Sequence, residues 1–213
     1  MSLGLVFAIL LGVVVTSNDA CSCLERHPQE VFCSAHFAIR AKVLSQEDNL
    51  SNFTRIFDLR ILKIFKGTWK LNQTGRVQVY GSRHRSLLVK AHTTTLQTLC
   101  GVRLANDKVY LITGRIWKGN LQLNLCNWNQ EWSEITHRQR IGVKRFYGEN
   151  CKCQISPCYT RKCQELKGCS RSSGIHLNSC EWRHSYCLVN ADGNACSWRE
   201  TAEYKNCTSQ AMP

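Results

Sequence analysis

The sequence predicts a mainly β protein of the α+β class: a small barrel or sandwich of about five strands with flanking helices, followed by a small disulfide-rich C-terminal domain. Two observations lead to this prediction. Short strand-like runs with glycine-marked connections fill residues 37–125, a pattern typical of barrels and sandwiches. The cysteines are divided unevenly, with five in residues 21–126 and nine in residues 151–207. The second part has few aliphatic residues, so we expect disulfides to hold it together.

Residues 1–20 have the pattern of a secretory signal peptide. Residues 3–15 are almost wholly apolar, and Ala20 stands directly before Cys21. The apolar run is too short to anchor stably in a bilayer. We therefore predict cleavage after Ala20 and a secreted, extracellular chain that begins at Cys21.

All 14 cysteines follow the predicted cleavage point. An even, dense set of cysteines in a secreted chain predicts disulfides, on the order of seven if all of them pair. The C-terminal cysteines lack the paired two-residue spacings of zinc ribbons, which argues against a structural zinc site. Counting alone does not give the pairing, because fourteen cysteines allow roughly 10^5 complete connectivities.

The chain is strongly basic, with a formal charge of +13 that becomes +14 when Asp19 leaves with the signal peptide. A basic secreted protein meets sulfated glycans and cell surfaces rather than DNA, and no nucleic-acid-binding motif is present. Sulfated glycosaminoglycans and the matrix are therefore candidate partners, and a merely solvated basic surface is the alternative. The residues considered for a glycan-binding stripe are Arg83, Arg85, Arg138, Arg140, Lys144 and Arg145.

Five strands are expected from runs of β-branched, aromatic and alternating apolar residues. In the longest run, Phe57, Leu59, Ile61 and Phe65 are predicted to share one face. The predicted strands cover residues 37–44, 56–65, 77–80, 109–113 and 121–125. The connection over residues 45–54 between the first two strands is expected to be short.

Two helices are predicted in the first part of the chain. One begins near Pro28, a residue favoured in the first helical turn, and turns Val31 and Phe32 inward. The other runs from Ser133, a good N-cap, to Gly148. In the second part, Asp192-Gly193 predicts a hairpin turn. The six tryptophans are expected to pack in the core or beside disulfides.

Four glycosylation sequons are present, and all fall in predicted connections, which favours surface placement. Their acceptor residues are Asn49, Asn52, Asn72 and Asn206.

The predicted mature N-terminus carries the most informative motif. The chain would open with Cys21-Ser22-Cys23, continue with His27-Pro28-Gln29 and place Cys33 ten residues after Cys23. Further motifs follow in order: Phe65-Lys66-Gly67, Cys100-Gly101-Val102, Leu125-Cys126, Cys151-Lys152-Cys153 and Cys196-Ser197-Trp198. With these motifs the sequence resembles the tissue inhibitors of metalloproteinases over essentially the whole mature chain.

This resemblance implies a netrin-like N-terminal domain over residues 21–150, built on a five-stranded barrel of the OB type, and a C-terminal domain over residues 151–213. It also implies disulfide pairs: Cys21 with Cys100, Cys23 with Cys126, Cys33 with Cys151, Cys153 with Cys196, Cys158 with Cys163, and Cys169 with Cys187. Cys180 and Cys207 would then form an additional pair. An alternative in which Cys180 takes the family position and leaves Cys169 for Cys207 stays open.

The resemblance further implies that the chain inhibits matrix metalloproteinases and related zinc metalloproteinases. The amine and carbonyl groups of Cys21 would bind the catalytic zinc of the target protease. Ser22 would enter the specificity pocket, and Cys23 and Leu24 would follow the substrate groove. A second contact strip would consist of Gln97, Thr98 and Leu99. The zinc belongs to the target, so the chain needs no cofactor of its own.

The same residues allow other interpretations. Cys21 and Cys23 could be purely structural half-cystines, and His27 is expected to cap or pack rather than bind metal. Glu25 stands where the family commonly has proline, which places an acid on the contact surface. The alternative function is a netrin-like matrix- or heparin-binding module without protease inhibition. We expect no enzymatic activity, since no catalytic triad, His-Glu-x-x-His motif or phosphate-binding loop is visible, and we expect a monomer.

Overall fold

The computed structural model describes residues 21–73, 78–80, 86–158, 168–172 and 179–211. The predicted signal peptide, Arg83, Arg85 and Cys163 lie outside these residues. Among the helices that are described, none is long and apolar enough to cross a membrane.

Five strands close into a ring, as the predicted OB-like architecture requires. The order around the ring is β1-β2-β4-β6-β5, and β5 pairs again with β1; β3 adds to β4 and β7 adds to β5. Within this seven-stranded sheet, the pairings are antiparallel except the short parallel contact between β4 and β6. The strands are β1 (Phe37–Asn49), β2 (Thr54–Lys66), β3 (Gln78–Tyr80), β4 (Ser86–Thr94), β5 (Val109–Trp117), β6 (Asn120–Gln122) and β7 (Asn129–Glu131).

Helices flank the ring, and short elements form the C-terminal segment, by which we mean residues 151–211. The helices are α1 (Pro28–Ser34), α2 (Thr68–Gln73), a 3-10 turn (Gln97–Leu99), α3 (His137–Ile141), α4 (Cys180–His184) and α5 (Ala202–Ala211). The strands of the C-terminal segment are β8 (Ile155–Cys158), β9 (Cys169–Ser172), β10 (Cys187–Val189) and β11 (Cys196–Trp198).

The interior of the ring is apolar because alternate residues of each strand point inward. In β2 these are Phe57, Leu59 and Ile61, and in β1 they include Phe37 and Ile39; all five are buried. A second apolar cluster lies outside the ring, where Val31 and Phe32 of α1 pack with Trp128, Tyr147 and Tyr186. The inward placement of Val31 and Phe32 predicted from the sequence is confirmed.

The prediction that Phe65 shares a face with Phe57 is wrong. Between the paired positions of β1 and β2, the register skips Leu62 and Phe65, so each is the extra residue of a bulge. A bulge shifts the inside–outside alternation by one residue. Phe65 therefore faces the second cluster, where its ring stacks on Trp132 with centroids 6.0 Å apart.

The third predicted strand is not a member of the ring. Its place next to β2 is taken by β4, which the sequence reading missed, while Gln78–Tyr80 pairs on the far side of β4. In β4, Leu87, Val89, Ala91 and Thr93 alternate toward the interior. Ala91 and Thr93 are small or polar, so the second half of the strand carries little hydrophobic signal. The last predicted strand is also shorter than expected, because β6 ends at Gln122 and Leu125 is exposed.

The connection between β1 and β2 is not the ten-residue loop that was expected. The two strands stay paired out to Asn49 and Thr54, so only residues 50–53 form the turn. Residues 44–49 of β1 are exposed, whereas β2 is also paired with β4 as far as Thr54 and Thr94; we call this outer end of the hairpin the arm.

The second helix begins three residues later than predicted. Thr136, not Ser133, is its N-cap, because Gln139 three positions on completes a capping box with Thr136. Residues 142–146 then continue as a π-helical turn toward Tyr147.

Two tryptophans also depart from expectation, since Trp69 and Trp117 are 62% and 66% exposed. Trp69 lies in the short helix α2, and Trp117 is the last residue of β5, next to the turn that leads to β6.

Six disulfides join described cysteines; five are pairs that the family resemblance implies, and the sixth is the additional pair of Cys180 with Cys207 rather than the alternative of Cys169 with Cys207. They are Cys21 with Cys100, Cys23 with Cys126, Cys33 with Cys151, Cys153 with Cys196, Cys169 with Cys187, and Cys180 with Cys207. The turn predicted at Asp192-Gly193 is confirmed: Gly193 N donates to Asn190 O at 2.9 Å, and Gly193 has a φ of 73°.

Candidate functional site

The segment of residues 21–26, which we call the N-terminal segment, runs over the surface without regular secondary structure. Disulfides fix it at two points two residues apart: the Cα atoms of Cys21 and Cys100 are 5.1 Å apart, and those of Cys23 and Cys126 are 5.2 Å apart. The two bridges adjoin each other, with 3.9 Å between the Sγ atoms of Cys126 and Cys100. These four sulfurs are bonded in pairs and are therefore not metal ligands.

The side chains between and beside the bridges are open to solvent. Ser22 and Cys23 are exposed, and Leu24 is 79% exposed. These side chains are therefore accessible to a partner, and their contact role stays a prediction.

Helix α1 fixes where the N-terminal segment ends. His27 is the N-cap: its Nδ1 accepts from Gln29 N at 3.1 Å, and its backbone N donates to Glu30 Oε2 at 2.7 Å. Its Nε2 lies 3.0 Å from the carbonyl oxygen of Glu181. Burial lowers the pKa of His27 to about 3, so the ring is neutral and caps the helix as an acceptor. The prediction of a capping role is confirmed.

The other end of α1 and its buried face are also tied down. Lys66 Nζ donates to the carbonyl oxygens of Phe32 and Cys33 at 2.9 and 2.6 Å. These carbonyl groups lie in the last turn of α1 and have no hydrogen-bond donor within the helix. Gln29 Nε2 donates to the carbonyls of Asn150 and Cys187, and Gln29 Oε1 accepts from Cys187 N at 3.0 Å. Helix α1, which directly follows the N-terminal segment, is therefore hydrogen-bonded to the C-terminal segment.

The second predicted strip lies against the first bridge. Gln97, Thr98 and Leu99 form one exposed 3-10 turn, and Leu99 is 62% exposed. Cys100 follows in the left-handed region with a φ of 61°, and Gly101 packs its Cα against the carbonyl oxygen of Thr94, where a Cβ would collide. The sharp reversal at these two residues turns Leu99 outward beside Cys21.

The loop that carries Cys126 is rigid as well. Asn124 Oδ1 accepts from Cys126 N at 2.8 Å, and Leu125 N donates to Cys100 O at 2.8 Å. The two loops that hold the N-terminal segment are thus bonded to each other. Together they form one support.

The tip of the β1–β2 hairpin joins the same surface, which the sequence reading missed. Phe53, with a φ of 52°, accepts from Thr95 N at 2.9 Å through its carbonyl oxygen. Its exposed ring lines one groove with Leu96 and Leu99. Leu50 and Phe53 are bulky apolar residues in a polar loop that carries two sequons. That contrast is the signal that could have pointed to them.

Arg55, which is buried, holds the arm against the loop that carries Cys100. Arg55 donates to both carboxylate oxygens of Asp48 at 2.6 Å and to Val102 O at 3.2 Å. The hydrogen bonds from Arg55 hold the pKa of Asp48 below its ordinary value, so the pair stays charged. Val102 lies two residues after Cys100, which connects the arm to the first bridge.

Comparison with known proteins places this arrangement in a family. The family model described as tissue inhibitor of metalloproteinase matches residues 19–198. The chain belongs to the tissue inhibitor of metalloproteinase family. A metalloproteinase inhibitor 3 from Scyliorhinus torazame is 30% identical over 190 residues, covering 85% of this chain and 81% of the relative. The Drosophila melanogaster tissue inhibitor of metalloproteinase is 28% identical over 221 residues, covering 97% and 96%.

Within this family member, the predicted contact residues lie together. The first bridge brings the strip of Gln97, Thr98 and Leu99 beside Cys21, Ser22, Cys23 and Leu24. Their role in binding a protease stays a prediction, as does the use of the sequons. Asn49 and Asn52 are exposed at the hairpin, whereas Asn72 and Asn206 lie in helices rather than in the expected connections.

The predicted basic stripe does not form one free surface within the described residues. Arg138 binds both carboxylate oxygens of Glu203 at 2.6 and 2.7 Å. Arg140 donates to the carbonyls of Trp132 and Ser133 and lies over the Trp132 ring. Lys144 and Arg145 are exposed. Two of the four described residues therefore serve internal packing.

Proposed function

We propose that the mature chain inhibits zinc metalloproteinases by binding the catalytic zinc with the free amine and the carbonyl oxygen of Cys21. A catalytic protease zinc has three protein ligands and an open position that holds water. The amine nitrogen and carbonyl oxygen of one residue can form a five-membered chelate at that position. Displacing the water removes the nucleophile of peptide hydrolysis.

The observation that carries this proposal is an exposed N-terminal segment held by two adjacent disulfides. A flexible chain end would lose conformational freedom on binding, which opposes affinity. Cys21 is fixed by the bridge to Cys100, and Cys23 by the bridge to Cys126. Little ordering remains to be done when the segment enters a groove.

The remaining roles follow from the positions of the neighbouring side chains. Ser22, the exposed residue between the two bridges, would enter the specificity pocket beside the zinc. Cys23 and Leu24 would follow the substrate groove on one side of the metal, and Gln97, Thr98 and Leu99 would contact the groove on the other side. The zinc belongs to the protease in this mechanism. Secretion would place the chain where its disulfides persist and its targets act.

The decisive experiment adds one alanine ahead of Cys21. The extended protein keeps its disulfides but has no amine at Cys21, so we expect inhibition of a matrix metalloproteinase catalytic domain to fall by several orders of magnitude. The matched control carries one extra alanine after Pro213, which changes the mass equally and leaves the N-terminus intact. Disulfide mapping and circular dichroism establish that both proteins are folded. Equal inhibition by the N-terminally extended and control proteins would overturn the mechanism.

A second candidate function is retention in the matrix by sulfated glycans, favoured by the formal charge of +13. Lys144 and Arg145 are the exposed members of the predicted stripe. If they contribute, Lys144→Glu with Arg145→Glu should elute from heparin at lower salt than the wild type, and Arg138 should matter less because Glu203 neutralises it. Elution of the wild type near physiological salt argues against this function.

A further inference from the structure

A polar cleft adjoins the N-terminal segment on the side of the Cys23–Cys126 bridge. It lies between Arg26 and the β5–β6 hairpin and encloses about 460 Å3. The polar side chains that line it belong to Arg26, Arg115, Gln122, Asn124 and Asn127. Arg26 and Arg115 are 89 positions apart in the sequence and are brought together by the fold.

Both cations of the cleft lack a carboxylate partner. Neither Arg26 nor Arg115 lies within ion-pair distance of an acidic group among the described residues. Arg26 donates to Ser34 Oγ at 3.1 Å and to Cys126 O at 3.3 Å, both neutral acceptors. Arg115 is exposed. Glu30 interacts electrostatically with Arg26 but forms no ion pair with it, and no described acidic group pairs with Arg115, so the two guanidinium groups still give the cleft a positive potential.

The amides add donors rather than acceptors. Asn124 uses its Oδ1 to accept from Cys126 N, and Asn127 uses its Oδ1 to accept from Asn124 N at 3.1 Å. Each amide is thereby oriented, and its NH2 group is the part left to bind a ligand. A pocket lined by guanidinium and amide NH2 groups is suited to an anion with several acceptor oxygens.

The position of the cleft indicates where that anion comes from. Cys126 forms part of its wall and is bonded to Cys23 of the N-terminal segment. Arg26 follows Cys23 by three residues, a span of roughly 10 Å in extended chain. Any partner seated on Ser22 to Leu24 therefore faces the cleft directly.

We propose that this cleft receives an aspartate or glutamate side chain from the rim of the partner protease's active-site groove. The inference rests on the proposed function and adds a determinant of target choice. The contact surface is then asymmetric: apolar at the end formed by Leu99 and Phe53, and cationic at the end formed by Arg26 and Arg115. Arginine binds carboxylates in a fixed bidentate geometry, and opposite charges also speed association. Proteases with an acid at the corresponding rim are the preferred targets.

The main test reverses the charge of Arg115, whose side chain forms no ion pair or hydrogen bond with another residue in the described part of the chain. Arg115→Glu should raise the inhibition constant about tenfold for a metalloproteinase catalytic domain with an acidic rim, mostly through slower association. The difference from wild type should shrink at high salt. Lys118→Glu is the matched control, because Lys118 is exposed in the same hairpin, does not line the cleft, and changes the net charge equally. Equal effects of the two variants, or none from Arg115→Glu, would overturn the proposal.

A second measurement does not depend on inhibition. Titration of the arginine-labelled protein with acetyl-Asp-Glu-amide should shift the Nε–Hε resonances of Arg26 and Arg115 in NMR spectra, and Arg115→Gln should abolish the response at Arg26. Shifts caused only by a sulfated heparin disaccharide would assign the cleft to glycans and overturn the protease contact. If wild type fails to inhibit any protease while the peptide still binds, the proposed function fails and carboxylate recognition by the cleft stands. If inhibition is normal and the peptide and charge reversal have no effect, only the cleft proposal fails.

Discussion

The ring region, residues 21–150, and the C-terminal segment are stabilised in different ways. Fifteen buried apolar residues form the cluster inside the ring. Among the described residues of the C-terminal segment, the one separate cluster has four buried members, of which three are half-cystines. The comparison shows how one chain can use a hydrophobic core where its strands close and covalent cross-links where they do not. The N-terminal segment is the exception within the ring region, because disulfides hold it on the outside of a core it does not enter.

The two regions nevertheless pack against each other and form hydrogen bonds across their boundary. Tyr186 of the C-terminal segment packs in the second cluster, with its ring 4.8 Å from that of Phe146 and 6.1 Å from that of Tyr147. Gln29 and His27 hydrogen bond across the same boundary. The division into two domains at residue 150 stays a prediction, and the following experiments test how far the regions are independent.

The largest effect is expected in the ring core. Leu59→Ala removes a fully buried side chain from packed surroundings and should lower the free energy of unfolding by about 4 kcal/mol. Ile155→Ala, in the disulfide-lined cluster, should cost only about 2 kcal/mol, because that cluster has only three other buried members among the described residues and fewer apolar contacts are lost. Denaturant unfolding of both variants measures the difference. Equal losses would mean that the C-terminal segment has a true apolar core.

Removing a disulfide should destabilise the C-terminal segment more than the ring region, the reverse of the pattern expected for the core substitutions. Replacing Cys153 and Cys196 by alanine opens a bridge between residues 43 positions apart and should cost about 2–4 kcal/mol. Hydrogen exchange should increase in β8 to β11 and remain unchanged in β1 and β2. As the control, replacing Cys23 and Cys126 should loosen the N-terminal segment without loss of protection in the ring. Loss of protection throughout the ring in the first variant would contradict separate stabilisation.

The boundary itself is tested at Gln29. Gln29→Met keeps the side-chain volume but leaves the amide of Cys187 and the carbonyl of Asn150 without their partner, so we expect a loss of about 2 kcal/mol. Calorimetry should show that the regions unfold together in the wild type and in two steps in the variant. A surface replacement such as Gln97→Met serves as the control. Two separate transitions already in the wild type would mean that Gln29 does not couple the regions.

The last effect, which is the smallest near neutral pH, is a pH dependence centred on His27. Its pKa is lowered by burial to about 3 in the folded chain, and in the unfolded chain it is near 6.5. The unfolded state therefore binds the proton first, and stability falls as pH decreases from about 6.5 toward 3, by at most about 1.4 kcal/mol per pH unit. Burial raises the pKa of Glu30, which acts in the opposite direction. His27→Asn keeps a capping acceptor and leaves Glu30 in place, so it should remove the His27 contribution; an unchanged pH profile would contradict this assignment.

Local patterns accounted for much of the architecture. Alternation in β2 correctly identified Phe57, Leu59 and Ile61 as core residues, since inside–outside periodicity needs no knowledge of neighbouring strands. The start of α1 at Pro28 and the capping role of His27 were also predicted, because helix starts depend on residues within one turn. The cysteine motifs, through the family they indicate, implied five of the six disulfides that the described residues form, and the structure decided the pairing of Cys180 with Cys207.

What the sequence by itself determined is therefore what neighbours along the chain decide: strand faces, helix starts and the exposed Cys21-Ser22-Cys23 motif. The tertiary structure alone decided the bulge that turns Phe65 toward Trp132 and the register that places Phe53 beside Thr95. It also decided the meeting of Arg26 with Arg115 in one cleft. The physical reason is that these contacts depend on strand register and loop closure across tens of residues, and no local periodicity records either.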